Sequence, residues 1–171
     1  MIDFDILRAQ PVEHFDSAAS YVKKDLDQDF VEYLIESVRE IGGYDFVNDD
    51  ADPMDDNTDH SHGTHVAGII AGNDTNITGV APDALLYAYK ACSYRGTCQS
   101  SDVIDALTRA VDPDGDGVPS DHVDVVNMSL GSSSGGPDSP LSVAVDNAVD
   151  LGVSVIVAAG NDGTASNVRT R

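Results

Sequence analysis

The sequence predicts an α/β fold in which a parallel sheet carries helices on both faces. Short apolar runs typical of buried strands alternate along the chain with segments whose apolar residues recur every three or four positions, the period of an amphipathic helix. Such alternation indicates parallel strands joined by right-handed helical crossovers. The 171 residues, of which 41% are hydrophobic, are enough to bury one core.

The predicted elements begin at residue 44 with a short strand that opens an acidic loop. Pro82 and the loop around Gly96 bound the next apolar run, and Ser100 or Ser101 is the predicted N-cap of the helix that follows. The predicted strands are 44–47, 84–91, 122–129 and 153–159, and the predicted helices are 62–72, 100–111 and 139–151.

Residues 1–40 differ from the rest of the chain and are set apart from residues 41–171. Apolar residues from Phe15 to Ile41 recur at helical spacing, and Gly42 and Gly43 are expected to end that helix. The sequence gives no role for this helical N-terminal segment.

The charge excludes two classes of partner. Nine Lys and Arg against thirty Asp and Glu give a formal charge of -21, which disfavours binding to nucleic acids and to anionic membranes. Charges of one sign repel until salt screens them, over about 10 Å at 0.1 M and about 3 Å at 1 M, so we expect a halophilic protein that folds in strong salt. No run is apolar enough to span a membrane, and the N-terminus has no signal-peptide pattern.

Glycine, serine and asparagine are concentrated at the carboxyl ends of the last two predicted strands. The end of the third strand carries NMSLGSSSGG, and the end of the fourth carries AAGNDG. Ligands of open parallel sheets bind beyond the carboxyl ends of the strands. We therefore predict the functional site at that edge of the sheet.

Three histidines, His60, His62 and His65, lie close together in DHSHGTHVAG. They could bind a metal, because His62 and His65 would share one helical face, but the segment lacks the glutamate of H-E-x-x-H. A structural pair of histidines is a second interpretation. The third is that His62 acts as a general base.

Four consecutive segments resemble signature blocks of the subtilisin-like serine proteases, the subtilases of peptidase family S8. They occur in the family's order, and the resemblance extends over about residues 41–161. The segments are 61–72 (SHGTHVAGIIAG), 79–91 (GVAPDALLYAYKA), 127–133 (NMSLGSS) and 155–161 (VIVAAGN).

The resemblance implies an extracellular endopeptidase with a subtilisin-like fold that binds an extended peptide or protein substrate. It assigns the general base to His62 and a packing role to His65. It assigns to Asn161 the role of hydrogen-bond donor to the oxyanion. The substrate-pairing segment would be Ser129, Leu130 and Gly131.

Two members of the expected triad have no match. The family's D-[ST]-G turn is absent, and Asp3 and Asp5 lack its glycine; the G-T-S-[MA] block is also absent, and Ser166 lies in a different context. We therefore expect an incomplete domain that hydrolyses peptides negligibly on its own and can self-associate through uncovered sheet edges. The alternative is a noncatalytic calcium-binding or peptide-binding module.

The segment DPDGDGVPSD matches the first half of a calcium loop. Asp112, Asp114 and Asp116 have the D-x-D-x-D spacing, but Val123 occupies the twelfth position, where such loops have a glutamate. Calcium bound by these three residues and Asp121 is one interpretation. A polar turn between a helix and a strand is the other.

Cys92 and Cys98 flank a short loop containing Gly96. They could form a disulfide, as an exported protein would permit, or remain two free thiols.

Overall fold

The computed structural model describes residues 4–8, 39–55, 61–131 and 135–161, with residues 4–8 described by their backbone alone. Within these ranges the strands are β1 (Phe4–Arg8), β2 (Glu40–Asp45), β3 (Leu85–Lys90), β4 (Val125–Met128) and β5 (Ser154–Val157). The α-helices in the same ranges are α1 (His62–Ala71), α2 (Ser100–Val111) and α3 (Pro140–Asp150), and a 3-10 turn spans Pro119–Asp121.

The strands form one sheet in the order β2-β3-β1-β4-β5. Strand β2 pairs parallel with β3, and β4 pairs parallel with β5. Strand β1 lies between β3 and β4 and is antiparallel to both, so β3 and β4 run in the same direction. The predicted α/β fold, a parallel sheet with helices, is confirmed with the addition of this central antiparallel strand.

Strand β1 was not predicted, although Ile2, Phe4 and Ile6 alternate with aspartates as in a strand. Six residues of the 1–40 segment thus belong to the sheet: the five of β1 and Glu40, the first residue of β2. Most of the helix predicted from Phe15 lies outside the described residues.

The start of β2 corrects the prediction for residues 40–47. The strand begins at Glu40, where a helix was expected to continue to Ile41, and it ends at Asp45 instead of residue 47. The reason lies in Gly43, because a Cβ there would be 2.1 Å from the carbonyl oxygen of Ala88 on β3. Glycine permits this close approach between two strands and does not end a helix here.

Helices cover both faces of the sheet. On one face α2 and α3 pack on β3, β4 and β5 around a buried core, and on the other α1 packs against Leu86 of β3. Ser139 caps α3 as its sequence position suggests, accepting a hydrogen bond from the backbone N–H of Ser142 at 3.2 Å. The main core cluster consists of Tyr89, Ala91, Val103, Ala106, Leu107, Ala110, Val123, Val126, Met128, Leu130, Ala148 and Val153.

None of the helices in the described part of the chain is long and apolar enough to cross a membrane. Strands β2 and β5 are the two edges of the sheet. On β5, Ile156 and Val157 are 57% and 44% exposed, so this edge presents apolar surface to solvent.

A buried ion pair joins the ends of β2 and β3. Asp45 is 1% exposed and Lys90 is 8% exposed, and Lys90 Nζ lies 2.7 Å from Asp45 Oδ2. The Asp45 carboxylate also accepts hydrogen bonds from the backbone N–H groups of Val47 (2.8 Å) and Asn48 (2.9 Å) and from the Asn48 side-chain amide (2.8 Å). Burial by itself would raise the pKa of Asp45, but these hydrogen bonds outweigh it and hold the pKa below its ordinary value.

Replacing Asp45 should destabilise the fold more than replacing an exposed carboxylate does. In Asp45→Asn the buried Lys90 ammonium loses the negative charge that Asp45 supplies at 2.7 Å, so we expect the free energy of unfolding at pH 7 to fall by about 3–5 kcal/mol. Urea denaturation followed by circular dichroism measures it. The matched control is Asp105→Asn, the same change at an exposed position of α2, which should shift it by less than about 0.5 kcal/mol.

The same pair predicts a pH dependence. A carboxyl group whose pKa is lower in the folded state stabilises the fold above its unfolded pKa, about 3.9 for Asp, and this stabilisation is lost as the pH falls through the folded value. The stability difference between wild type and Asp45→Asn should therefore be constant near neutral pH and shrink below about pH 4. A difference that does not change with pH would contradict a charged Asp45.

Candidate active site

Four parallel strands end at one edge of the sheet, which we call the carboxyl edge. It is defined by the last residues of β2, β3, β4 and β5, namely Asp45, Lys90, Met128 and Val157. The antiparallel strand β1 begins at this edge, because Phe4 is paired with Tyr89 and Met128.

His62 is the first residue of α1 and is half-buried. Because β2 and β3 are parallel, the helix that connects them runs back from the carboxyl edge to the opposite edge. The first turn of α1 therefore lies at the carboxyl edge. A side chain at the start of a helix at this edge can reach a ligand bound beyond the strands.

A carboxylate from the preceding loop holds the first turn of α1. Ser61 occupies the N-cap position in a left-handed conformation (φ 38°) and makes no side-chain capping hydrogen bond. Instead, Asp55 Oδ2 accepts hydrogen bonds from the backbone N–H of Thr64 at 3.2 Å and from its hydroxyl at 3.1 Å. Asp55 thus satisfies one of the unpaired N–H groups of the helix and places negative charge at its positive end.

Sequence reasoning missed Asp55, since it precedes the helix by seven positions. The usual signal for a cap is a polar residue immediately before the helix, and here that residue is Ser61.

His65 lies on α1 one turn after His62 and is half-buried. Burial lowers its pKa, which favours a neutral imidazole. His60 lies outside the described residues. Within those residues, neither His62 nor His65 belongs to a group of three closely spaced metal-binding side chains.

The predicted substrate segment, Ser129 to Gly131, follows β4 directly. Leu130 is 6% exposed and its side chain belongs to the main core, whereas Gly131 is exposed and has open space around it. The side-chain amide of Asn127 donates to the Ser129 hydroxyl at 3.0 Å. The Leu130 side chain is therefore committed to packing, and only its backbone is available for pairing with a peptide.

Asn161 is exposed and lies four positions beyond β5, after Gly160, whose φ is 87°. Strands β4 and β5 are adjacent and parallel, with Met128 paired with Val157, so Asn161 and the 129–131 segment emerge at the same edge. The topology thus places His62, Asn161 and the segment 129–131 at the same edge of the sheet.

The three weaker triad candidates have different outcomes. Asp5 lies on β1 at the register position opposite Ala88 and Asn127, close to the carboxyl edge. Asp3 and Ser166 lie outside the described residues.

The predicted calcium loop brings three carboxylates together. One oxygen each of Asp112, Asp114 and Asp121 lies within 4.8 Å of the others. Asp121 Oδ1 is buried and has no hydrogen-bond partner among the described residues, while Asp121 Oδ2 accepts from the backbone N–H of Asp114 at 3.1 Å. Asp116, the remaining predicted ligand, is outside this group, and its carboxylate accepts a hydrogen bond from the backbone N–H of Val118 at 2.7 Å.

The loop backbone wraps around Asp112. Its two carboxylate oxygens accept hydrogen bonds from the N–H groups of Gly115 (3.0 Å), Asp116 (3.1 Å) and Gly117 (2.8 Å). The backbone N–H of Asp116 lowers the pKa of Asp114, but desolvation and the charges of Asp116 and Asp121 outweigh it and raise the pKa. The carboxylates therefore repel one another in the absence of a cation.

Cys92 and Cys98 form a disulfide, which decides between the two interpretations of the pair. They close a hairpin directly after β3, with the Ser93 N–H donating to the Thr97 carbonyl at 2.9 Å. The hairpin leads into α2 and stands at the carboxyl edge.

Comparison with known proteins decides the family. The Subtilase family (Peptidase_S8) matches residues 9–170. The chain belongs to the subtilase family. The minor extracellular protease Vpr of Bacillus subtilis (strain 168) is 39% identical over 154 residues, which are 86% of this chain and 17% of Vpr. The major intracellular serine protease of the same organism is 43% identical over 127 residues, which are 72% of this chain and 37% of that protein.

The fold is that of a known subtilase. A cold adapted subtilisin-like serine proteinase of known crystal structure matches with a TM-score of 0.55 and 36% identity, covering 72% of this chain and 40% of the other. The subtilase chain described here therefore spans less than half the length of these relatives.

Removing the Asp55 carboxylate should loosen the first turn of α1. In Asp55→Ala the Thr64 N–H loses its acceptor, so we expect a stability loss of about 1 kcal/mol and faster exchange of that amide. Asp55→Asn keeps a side-chain oxygen and should recover most of the protection. Hydrogen exchange by NMR measures both, and unchanged Thr64 exchange in Asp55→Ala would refute the cap.

Proposed function

We propose that this subtilase chain forms part of the catalytic domain of a serine endopeptidase, with His62 as general base and Asn161 as oxyanion donor. The observation that supports the proposal is that His62, Asn161 and the segment 129–131 all lie at the carboxyl edge. Membership of the family supports the assignment of roles.

Each group has a chemical task in acyl transfer. The imidazole of His62 takes the proton from a serine hydroxyl as that oxygen attacks the peptide carbonyl, and it returns the proton to the leaving amine. The side-chain amide of Asn161 donates to the carbonyl oxygen as negative charge develops on it. The backbone of residues 129–131 pairs with the extended substrate as an added strand, which holds the scissile bond in place.

The 171 residues carry no match to the family's nucleophile block or to its D-[ST]-G turn. Triad members act as a unit, and removing one costs orders of magnitude in rate. We therefore propose that the chain by itself is catalytically inactive.

The proposed function is tested by comparing the chain with the full-length protein encoded by the natural gene. The full-length protein should hydrolyse a chromogenic peptide, and the 171-residue chain should not exceed the buffer rate. In the full-length protein, Asn161→Ala should lower kcat by about 10²–10³-fold, because the amide acts on the transition state; this is the magnitude known for the corresponding donor of subtilisin itself. In the same protein, His62→Ala should abolish turnover.

The matched control is Asn147→Ala, the same change at an exposed position of α3, which should leave kcat unchanged. Full turnover in His62→Ala would contradict the proposal. A natural gene that encodes these residues alone, without a nucleophile block, would instead favour the noncatalytic module.

Location and association follow from the same proposal. The disulfide supports an oxidising, extracellular location, as does the resemblance to Vpr, whose name describes an extracellular protease. The exposed Ile156 and Val157 on the β5 edge support self-association of the isolated chain.

Calcium binding is a second proposed property of the chain. It is favoured by the buried, unpartnered Asp121 Oδ1 beside the carboxylates of Asp112 and Asp114. Hard oxygen ligands from carboxylates and backbone carbonyls suit Ca²⁺. The cation would neutralise the repulsion within the loop and tie the end of α2 to the start of β4.

Calcium should raise the thermal unfolding midpoint of the chain. At a concentration 100 times the dissociation constant the expected stabilisation is about 2.7 kcal/mol, measured by calorimetry at constant ionic strength. Asp114→Ala should remove the effect, and Asp146→Ala, at an exposed position of α3, should retain it. An equal shift in both variants would indicate general screening of the acidic surface and no specific site.

A further inference from the structure

The connection between α1 and β3 forms a tight turn at the edge of the sheet opposite the candidate active site. Asn73 and Thr78 form an isolated antiparallel bridge, and the Asp74 N–H donates to the Ile77 carbonyl at 2.9 Å. Residues 75 and 76 therefore form the tip of the turn, and both are exposed.

This turn contains two consecutive tripeptide patterns, Asn73-Asp74-Thr75 and Asn76-Ile77-Thr78. Each matches N-x-[ST], the acceptor pattern for N-linked glycosylation. A third match begins at Asn127, but that residue lies inside β4 and its amide donates to Ser129.

The two asparagines of the turn differ in accessibility. The side-chain amide of Asn73 donates to the Pro82 carbonyl at 3.1 Å, so it is already used in holding the turn. Asn76 is at the tip, where its backbone N–H donates to Asp74 Oδ1 at 3.1 Å. Its side-chain amide has no hydrogen bond within the described ranges, so it can be approached by an enzyme without unfolding of the turn.

The position is compatible with both folding and function. Helix α1 ends and β3 begins at the edge of the sheet opposite the carboxyl edge, away from His62 and Asn161. A bulky group there would therefore not cover the carboxyl edge. The Cys92–Cys98 disulfide indicates maturation in an oxidising compartment. N-linked glycans are added to surface loops of secreted proteins.

We propose that Asn76 is an acceptor site for an N-linked glycan. The co-reactant is an oligosaccharide carried on a lipid pyrophosphate. The side-chain nitrogen of Asn76 forms a bond to the anomeric carbon while the bond from that carbon to the phosphate oxygen breaks. The lipid pyrophosphate leaves, and the amide nitrogen loses one proton.

The test uses the full chain secreted from yeast behind a cleavable leader, with the disulfide confirmed by mass spectrometry. The wild-type chain should carry one glycan on Asn76, which peptide N-glycanase removes while converting that amide to a carboxylate. Asn76→Gln and Thr78→Ala should lose the glycan. Thr78→Ser keeps the hydroxyl and should retain it, and Asn73→Gln should be glycosylated as the wild type is.

Two results would overturn the proposal. One is a folded, disulfide-bonded secreted chain whose Asn76 is unmodified or whose glycan is on Asn73. The other is a peptide spanning residues 73–78 that is unmodified in the protein purified from its natural source. Neither result depends on proteolytic activity, so this inference and the proposed function can fail separately.

Discussion

The ion pair between Asp45 and Lys90 fixes the edge of the sheet on which the proposed chemistry depends. It joins the ends of two adjacent parallel strands in a buried environment, and the same carboxylate binds the turn that leaves β2. A buried charge is tolerated because it is paired and fully hydrogen-bonded. In a chain with a net charge of -21, direct contact with a lysine neutralises this buried aspartate.

Two further carboxylates act locally at the ends of helices. Asp55 holds the start of α1, where His62 is located, and Asp112 organises the loop that follows α2. In both places backbone N–H groups satisfy the acceptor, so the charge stabilises a specific conformation instead of only repelling its neighbours. The acidic composition is thus compatible with a defined site at the carboxyl edge, and the remaining exposed carboxylates account for the expected dependence on salt.

The alternation of strands and helices was predictable because each element buries one regular stripe of apolar residues. Helix α2 matched its predicted bounds, and β3, β4 and β5 fell within theirs. Strand β1 was missed because its segment leads into sequence with helical spacing, and Gly42 and Gly43 were misread because the contact that requires glycine lies on another strand. At the site, His62 and Asn161 came from signature blocks, whereas Asp55 has no local signal, since its partner Thr64 is nine residues away.

The central claim is that one extended peptide can contact His62, Asn161 and the segment 129–131 at the same time. The most direct measurement is a set of nuclear Overhauser effects between an isotope-labelled chain and a bound, unlabelled extended peptide. The account predicts contacts from the peptide backbone to residues 129–131 and, from a single peptide residue within the same complex, to both the His62 ring and the Asn161 side chain. Contacts to residues 129–131 with none to His62 would contradict it.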